Sequence, residues 1–234
     1  MIRLTYETLE RLPITRPVDR LSFIAERCRD KIVLDIGCFD ETALVKRNTE
    51  HWLHGRIAQV ARRVVGVDNS AKIPRDGLVT GENAIILRAD AIDLDAHILS
   101  RDAYEVLVAG EFIEHLDNPL AFLRKLRQTM AGRELIFSTP NGACFANTLL
   151  GAIGREVQHP DHLQNFSFKL LNTLCLRAGF ASWEIIPYRF FATEMILASH
   201  GSRRLFVVFV ERCIRLVERL FPLLSFGYVV RARL

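Results

Sequence analysis

The chain has 234 residues, of which 50% are hydrophobic and 25% are charged, and this balance is typical of a globular protein with its own core. The 31 basic residues exceed the 27 acidic residues by four, an excess too small and too dispersed to indicate a nucleic-acid-binding protein. The five cysteines include no CxxC pair. We therefore expect no disulfide framework or zinc knuckle, and a reducing, cytoplasmic compartment.

No targeting or membrane-spanning segment is predicted. The first residues, MIRLTYETLERLPITRP, contain no continuous apolar stretch, so they do not resemble a secretory signal. Residues 135–154 carry no charge over about the length of a membrane span, but Pro140, Asn141 and Gly142 would break such a span near its start. Because no linker or repeat is visible, we expect a single domain over residues 1–234, with an N-terminal helical segment at 1–30 and a helical insertion at 190–225.

Strand and helix signals alternate along the chain. Apolar, β-branched runs predict strands at residues 32–34, 64–68, 84–87, 106–109, 134–138, 181–187 and 227–232. Helical periodicity predicts helices at residues 16–29, 52–62, 119–130, 168–177 and 203–221. This alternation predicts an α/β fold with a doubly wound, mostly parallel, seven-stranded sheet, which binds ligands at the carboxyl ends of its strands.

Acidic residues stand at the ends of the first three strands. The first strand leads into a tight turn with Asp35, Gly37 and Cys38, where a glycine allows a ligand to approach the backbone. Asp68 ends the second strand, where it is placed to accept hydrogen bonds from ribose hydroxyls. Asp90 follows the third strand, where it could accept a hydrogen bond from the exocyclic amine of adenine. Each acid alone is more often a helix cap or a solvated loop residue, but the three together favour a nucleotide site.

The strings VLDIGC, GVDNS and ADA resemble those of class I S-adenosylmethionine-dependent methyltransferases. The resemblance implies a Rossmann-like methyltransferase fold with an antiparallel last strand. The cofactor-binding residues that it implies are Asp35, Gly37, Cys38, Asp68, Asn69, Asp90, Ala91 and Gly110. Phe39 and Glu41 replace two later glycines of that superfamily's usual DxGCGxG motif, which argues against an NAD site because a pyrophosphate requires those glycines.

The fourth strand opens into a cluster of possible metal ligands, Glu111, Glu114 and His115. In a helical turn these positions, i, i+3 and i+4, would share one face, and two carboxylates with an imidazole could form half of a metal site. Downstream, the segment HPDH with His159 and His162 could bring another imidazole to the same edge. The alternative is a helix start whose acids interact with the helix dipole, and spacing alone does not decide between the two.

ExxEH after the fourth strand, STPN after the fifth and a distal DH are similar to the motifs of ubiquinone-biosynthesis O-methyltransferases and small-RNA 2′-O-methyltransferases. This resemblance implies a divalent metal, magnesium or manganese, that holds the acceptor hydroxyls. It implies the ligands Glu111, Glu114, His115 and His162, with His159 as the competitor for the fourth place. The metal would lower the pKa of an acceptor hydroxyl, and His159 is the candidate base, with His115 as the second candidate catalytic residue.

The acceptor side is less informative. The wider string from RPVDRLSFIAERCRDKIVLDIGCFD to GVDNS looks like a bacterial branch often assigned to cell-surface glycan methylation, so a glycan or small-molecule acceptor is expected. The amphipathic helix at 203–221 is most simply packed on its own domain. A homodimer face and a peripheral membrane contact are the alternatives. Trp52 and His54 are left outside the site, because a lone histidine on a helix is more often a surface or capping residue.

Three functions follow from these patterns. The first is metal-dependent O-methylation of a hydroxyl on a sugar, glycan or small metabolite. The second is metal-independent N- or O-methylation of a small molecule, in which ExxEH is structural. The third is a noncatalytic module that retains the cofactor fold, and the acids at all three strand ends argue against it.

Overall fold

The structure, a computed structural model, describes residues 4–39, 42–47, 49–92, 94, 96–156 and 158–234. Glu41, one of the two residues that replace the superfamily's glycines, lies outside this part, as do residues 1–3 of the expected N-terminal segment. The strands are β1 (Ile32–Ile36), β2 (Arg63–Asp68), β3 (Leu78–Gly81), β4 (Ala84–Arg88), β5 (Val106–Gly110), β6 (Glu134–Pro140), β7 (Ser182–Tyr188) and β8 (Gly227–Arg233).

Helices connect these strands on both sides of the sheet. They are α1 (Arg20–Arg27), α2 (Ala43–Lys46), α3 (Leu53–Ala58), α4 (Ala96–Ser100), α5 (Pro119–Thr129), α6 (Phe145–Ala152), α7 (Phe168–Ala178), α8 (Thr193–Leu197) and α9 (Gly201–Leu220). Two short 3₁₀ turns, Ile113–His115 and Pro222–Leu224, complete the described elements. Residues 190–225 therefore contain α8, α9 and one 3₁₀ turn between β7 and β8. No helix in the described ranges combines the length and apolarity that a bilayer span requires.

The sheet confirms the predicted fold class and adds one strand. Its order is β3-β4-β2-β1-β5-β6-β8-β7; the strands from β4 to β6 are parallel, and β8 runs antiparallel to both of its neighbours. The sheet has eight strands instead of the expected seven, because Leu78–Gly81 forms an additional strand that pairs antiparallel with β4. This four-residue run is only partly buried, so its sequence lacks the apolar signal of the other strands, and the neighbouring strand supplies its pairing.

Residues on alternate sides of the central strands enter two different cores, as a doubly wound sheet requires. Leu34 and Leu107 face α5 and α7 in the larger cluster, whereas Val33 and Val106 face α1 and α3 in the other. Both faces of β1 and β5 are thereby buried, which explains why their sequences are continuous apolar runs rather than alternating ones.

The ends of α7 carry residues that are typical of helix ends. Ser167 caps α7 by accepting a hydrogen bond from Leu170 N, and Gly179 ends that helix in the left-handed conformation. The N-cap of α1 is Asp19, which accepts from Ser22 N. This helix therefore begins four residues later than the expected start at 16.

Candidate active site

The turn after β1 requires a glycine at position 37. Gly37 has a φ of +67°, and a Cβ atom there would lie 2.3 Å from Cδ2 of Phe112. The backbone of this turn is tied to the second strand, since Gly37 N donates to Val67 O at 2.8 Å. It is also tied to α3 through Trp52, whose Nε1 donates to Cys38 O at 3.2 Å. The turn predicted to approach the cofactor is therefore held from three sides.

Asp35 and His54 form a buried pair beneath this turn. His54 is fully buried, so the expectation of a surface or capping histidine was wrong. Its Nδ1 lies 2.9 Å from Asp35 Oδ2, and its Nε2 lies 2.9 Å from Thr80 Oγ1. Although Asp35, Cys38 and His54 could geometrically surround an ion, both ring nitrogens are already engaged by these partners. We interpret the pair as a structural support for the β1 turn.

The sequence signal for His54 is indirect and lies in another strand. A Cβ atom at Gly66, in the middle of β2, would meet Cys38 Sγ at 2.6 Å and His54 Cε1 at 3.0 Å. A glycine inside a strand often marks such a close approach. The sequence does not reveal which side chain makes the approach, because His54 is twelve residues away on a separate helix.

Asp68 and Asp90 lie at the carboxyl edge, as predicted, and both make local hydrogen bonds. Asp68 Oδ2 accepts from Phe39 N at 3.0 Å, and Oδ1 accepts from Ser70 N at 2.9 Å. A carboxylate has about four acceptor positions, so Asp68 can accept more than these two bonds. Asp90 is exposed and accepts from Ile92 N at 2.8 Å. Asn69 is exposed beside Asp68, and Ala91 is buried beside Asp90.

A cavity of about 450 Å³ opens at the ends of β1 and β5. Four of the predicted cofactor residues line it, Asp35, Gly37, Cys38 and Gly110. The remaining walls come from helices α1, α2, α3, α8 and α9 and from the residues that follow β5 and β7. They include Arg20, Glu111, Arg189 and Arg215. Asp68, Asn69, Asp90 and Ala91 lie at the same edge of the sheet but outside this cavity. The cavity is thus placed beside the predicted nucleotide end, with a charged lining suited to a polar molecule.

Glu111 does not begin a helical turn, so the expected i, i+3, i+4 face with Glu114 and His115 was wrong. Its φ is +52°, and the 3₁₀ turn begins only at Ile113. Glu111 N donates to Ser138 O at 2.9 Å. Its carboxylate accepts a 2.7 Å hydrogen bond from the Tyr188 hydroxyl and pairs with Arg20 at 3.4 Å. The structure therefore directs Glu111 towards β7 and α1, and its predicted metal-ligand role stays a prediction.

Glu114 is a buried carboxylate without a hydrogen bond. Its side chain is 1% exposed, and neither carboxylate oxygen has a hydrogen-bond partner within the described part of the chain. Burial, followed by repulsion from Glu111, raises the pKa of Glu114 to about 8, against the opposing effects of its own backbone, the nearby Thr139 hydroxyl and Arg20. Burial of a carboxylate is unfavourable unless it is neutralised, paired or bound to a cation. These two unsatisfied oxygens are the kind of group that a bound cation would satisfy.

The histidines converge beside Glu114. Leu163 N and Gln164 N donate to Glu114 O at 2.9 and 3.1 Å, which folds the distal HPDH segment back over the strand end. The rings of His115 and His162 then lie edge to face with centroids 4.7 Å apart. Potential ligand atoms of Glu114, His115 and His162 all lie within 4.8 Å of one another. The structure thus brings together three of the four predicted ligands, without Glu111.

The hydrogen bonds of the histidines define which ring nitrogens are available. His115 Nδ1 lies 3.1 Å from Asp161 O, and because a carbonyl only accepts, Nδ1 carries the proton and Nε2 keeps its lone pair. Burial, followed by repulsion from His115 and His159, lowers the pKa of His162, which favours its neutral form. A backbone carbonyl that orients one ring nitrogen is a common arrangement for metal-binding histidines.

His159 lies at the edge of this group. Its ring centroid is 5.3 Å from that of His162 and 6.2 Å from that of His115. Asp161 N donates to His159 Nδ1 at 3.3 Å, so the neutral ring carries its proton on Nε2. To act as a base, the role expected from the sequence, the neutral His159 ring must either give up this weak bond at Nδ1 or change tautomer. Its catalytic role stays a prediction.

The strand order, the glycine turn after β1 and the acids at successive strand ends define the Rossmann-like methyltransferase class. Residues 7–185 match the family described as "Methyltransferase domain", and the chain belongs to this family. It is a class I S-adenosylmethionine-dependent methyltransferase. The matched range ends within β7, so α8, α9 and β8 lie beyond it. No curated protein matches the chain.

Solved structures share the fold at low sequence identity. A methyltransferase structure from Mesorhizobium loti described as S-adenosylmethionine dependent is 17% identical, with a TM-score of 0.54, and the alignment covers 92% of this chain and 96% of that one. The small RNA methyltransferase HEN1 is 16% identical, with a TM-score of 0.57, over 92% of this chain and 24% of that one. Magnesium protoporphyrin IX methyltransferase from Synechocystis is 14% identical, with a TM-score of 0.53, over 92% and 82%. At these identities the likeness shows the fold alone.

Proposed function

We propose that this methyltransferase depends on a divalent metal and transfers the methyl group to a hydroxyl oxygen of a polyhydroxylated acceptor. A sugar or glycan is favoured over a simple phenol as that acceptor. The observation that carries the proposal is the buried carboxylate of Glu114, without a hydrogen bond in the described part of the chain, beside His115 and His162. The family resemblance implies these three ligands together with Glu111. Acceptor and metal together define one reaction site at the carboxyl ends of β5 and β6.

The donor set fits a divalent cation. Ligand atoms about 2 Å from one ion lie roughly 3–4 Å apart, so the spread of 4.8 Å between Glu114, His115 and His162 requires only small side-chain rotations. Glu114 supplies two carboxylate oxygens, and His115 supplies Nε2. Two imidazoles with one carboxylate suit manganese, iron or zinc better than magnesium on ligand softness. Manganese is therefore the first ion to test, with magnesium as the second.

Glu111 and Arg20 have a different role in this proposal. Both line the cavity and pair with each other, and Tyr188 holds the other oxygen of Glu111. This arrangement presents fixed polar groups to a molecule in the cavity, which suits a hydroxylated acceptor. We assign these two residues to acceptor orientation, and we retain Glu111 as the ligand to be tested after the first three.

The chemistry explains why such a site would carry a metal. An alcohol is almost fully protonated near neutral pH and is a weak nucleophile towards a sulfonium methyl group. A bound cation would lower the pKa of the acceptor hydroxyls that coordinate it. The protein's own part is to hold one oxygen in line with the methyl group and to accept its proton, for which His159 is the candidate.

The test compares wild-type protein with Glu114→Gln, and with Glu184→Gln, a half-exposed glutamate on β7, as a matched control. Manganese binding is measured by calorimetry, and methyl transfer is measured on a panel of sugar diols and catechols. We expect Glu114→Gln to lose manganese binding and to reduce turnover at least about ten- to a hundredfold, while binding S-adenosylmethionine normally. Glu184→Gln should behave as wild type.

Chelation provides the second arm of this test. Excess chelator should abolish methyl transfer, and added manganese should restore it. Full activity in chelator, or in Glu114→Gln, would overturn the proposal. That result would favour a metal-independent N- or O-methyltransferase in which ExxEH only shapes the strand end.

A further inference from the structure

Helix α9 turns its acidic residues inward. Glu211 and Glu218 are 7% and 1% exposed. Glu211 Oε1 accepts from Ala192 N at 3.0 Å, and the two oxygens of Glu218 accept from Phe190 N and Phe226 N, both at 2.8 Å. An amphipathic helix ordinarily buries its apolar stripe. In α9 the buried hydrogen bonds of two carboxylates fix the helix to the chain segments before and after it.

The opposite side of α9 is apolar and exposed. We call this side the outer face of α9, and the helical repeat places its five large members within about 100° of one another. These are Leu205, Phe206, Phe209, Leu216 and Leu220, each between 59% and 74% exposed. No described part of the chain covers them. Helix α6, which contacts α9, also exposes Leu149, and Ile153 is exposed directly after it.

The exposed charges of α9 are all positive. Its only acids are Glu211 and Glu218, which are buried, whereas its exposed charged residues are Arg203, Arg204, Arg212 and Arg219. Arg212 and Arg219 lie along one edge of the outer face. They share a surface recess with Arg16, Arg189 and Arg215. Of the residues in this recess, Arg189 is paired with Asp19 and Arg215 with Glu211.

We propose that the outer face of α9 binds the surface of an anionic phospholipid bilayer. Phenylalanine and leucine on one side with arginine beside them are the composition of helices that lie in the membrane interface. The arginines complement negative headgroups. A second copy of the chain, docked through the same face by two-fold symmetry, would instead bring like charges together, since α9 exposes no acid to pair with them.

The orientation of α9 also indicates the kind of acceptor that reaches the cavity, an inference that rests on the proposed function. The inner side of α9 contributes Glu211 and Arg215 to the wall of the 450 Å³ cavity. A bilayer on the outer face would therefore lie one helix diameter, about 10 Å, from that cavity. The structure then suits an amphiphilic acceptor whose hydroxylated headgroup leaves the bilayer surface and enters the cavity.

The test measures binding of the full-length protein to vesicles of phosphatidylglycerol and phosphatidylcholine, and to phosphatidylcholine alone, by co-sedimentation. We compare Phe206→Gln/Phe209→Gln with Leu170→Gln/Leu176→Gln, a matched pair from the exposed side of α7. The first variant should bind anionic vesicles about tenfold or more weakly, and the second should bind as wild type. Arg212→Gln/Arg219→Gln should weaken binding about fivefold per arginine at low salt.

A second readout reports contact at the helix itself. Cys213 is an exposed thiol on α9, and an environment-sensitive fluorophore attached there should shift to shorter wavelength only with anionic vesicles. A labelled Cys213→Ser variant is the control for reaction at other thiols. No binding to anionic vesicles would overturn the proposal, as would equal losses in the α7 variant.

Self-association is the remaining outcome. If sedimentation velocity shows a dimer that Phe206→Gln/Phe209→Gln dissociates, and vesicles do not bind, the outer face is a dimer interface and the proposal is wrong. All of these measurements are made without methyl transfer. Failure of membrane binding is therefore distinguishable from failure of the proposed reaction, which is tested by manganese binding and turnover.

Discussion

The Tyr188 hydroxyl donates a 2.7 Å hydrogen bond to Glu111 Oε1 and thereby joins the end of β7 to the residue that follows β5. The Tyr188 ring crosses the end of β8 so closely that a Cβ atom at Gly227 would lie 2.3 Å from it. Arg20 contacts the same glutamate and lies over the Tyr188 ring. These contacts hold Glu111 in its left-handed conformation and turn its carboxylate towards the cavity.

We expect Tyr188→Phe to reduce the free energy of unfolding by about 1.5–3 kcal/mol, because a carboxylate loses a hydrogen bond while it stays partly buried. Urea unfolding provides the measurement. Tyr228→Phe is the matched control, since its hydroxyl makes only a 3.4 Å contact with Leu223 O, and its loss should be under about 1 kcal/mol. Equal losses in the two variants would show that Glu111 does not depend on the Tyr188 hydroxyl.

Asp68→Ala should weaken S-adenosylmethionine binding by roughly ten- to a hundredfold in calorimetry, because a charge-assisted hydrogen bond to the ribose contributes about 1.5–3 kcal/mol. The variant also loses the bond from Phe39 N, which positions the β1 turn, so both effects act in the same direction. Asp76→Ala, an exposed residue in the same β2–β3 connection, should bind as wild type. Unchanged affinity in Asp68→Ala would remove Asp68 from the cofactor site.

Gly37→Ala should destabilise the protein more than Gly132→Ala does. Both glycines have a positive φ, +67° and +78°, but a Cβ atom at Gly132 meets nothing within 4 Å, whereas one at Gly37 meets Phe112. The two variants therefore share the backbone strain of about 1–3 kcal/mol, and only Gly37→Ala adds a clash of about 1–3 kcal/mol. Thermal and urea unfolding measure the difference. Gly37→Ala should also weaken cofactor binding, and equal unfolding losses would contradict the close contact with Phe112.

The free energy of unfolding should depend on pH through Glu218, which fixes α9 to the neighbouring chain segments. Burial raises the pKa of Glu218 from its ordinary value of 4.5 to about 7, against the opposing effects of the Phe190 and Phe226 amides and of Arg215 and Arg189. The thiol of Cys144 is also close enough to interact with it. Because the folded state holds this proton more tightly, its contribution to stability is complete below pH 4.5 and is lost as the pH rises to about 7.

The measurement is the free energy of unfolding of wild type and Glu218→Gln between pH 4.5 and 8. The difference, wild type minus variant, should fall as the pH rises through this window and become constant above it. Subtracting the variant removes the contribution of the other titrating groups. A difference that does not change with pH would show that Glu218 is ionised throughout. Above neutrality Glu218→Gln should be the less stable protein, since the NH₂ group of its amide faces one of the two backbone N–H donors.

The secondary structure was largely readable from the sequence because its signals are local. Buried strands such as β1 and β5 are continuous apolar runs, and Ser167 and Gly179 mark the two ends of α7 by hydrogen bonding and by backbone conformation. The strand β3 was missed because Leu78–Gly81 is partly exposed at the sheet edge. Its identity as a strand comes from pairing with β4, which a local pattern does not contain.

The part of the candidate site that depends on a local sequence motif was predictable from the sequence. A strand end followed by ExxEH placed Glu114 and His115 together, and the distal HPDH segment does bring His162 to them. The sequence by itself determined the methyltransferase class, since the motifs follow successive strand ends. The tertiary structure alone decided three matters: Glu111 turns towards Tyr188, His54 is buried on Asp35, and α9 exposes its apolar side. In each, the deciding partner is a residue at least 19 positions away or a backbone group on another segment, and spacing along one helix or strand carries no information about such partners.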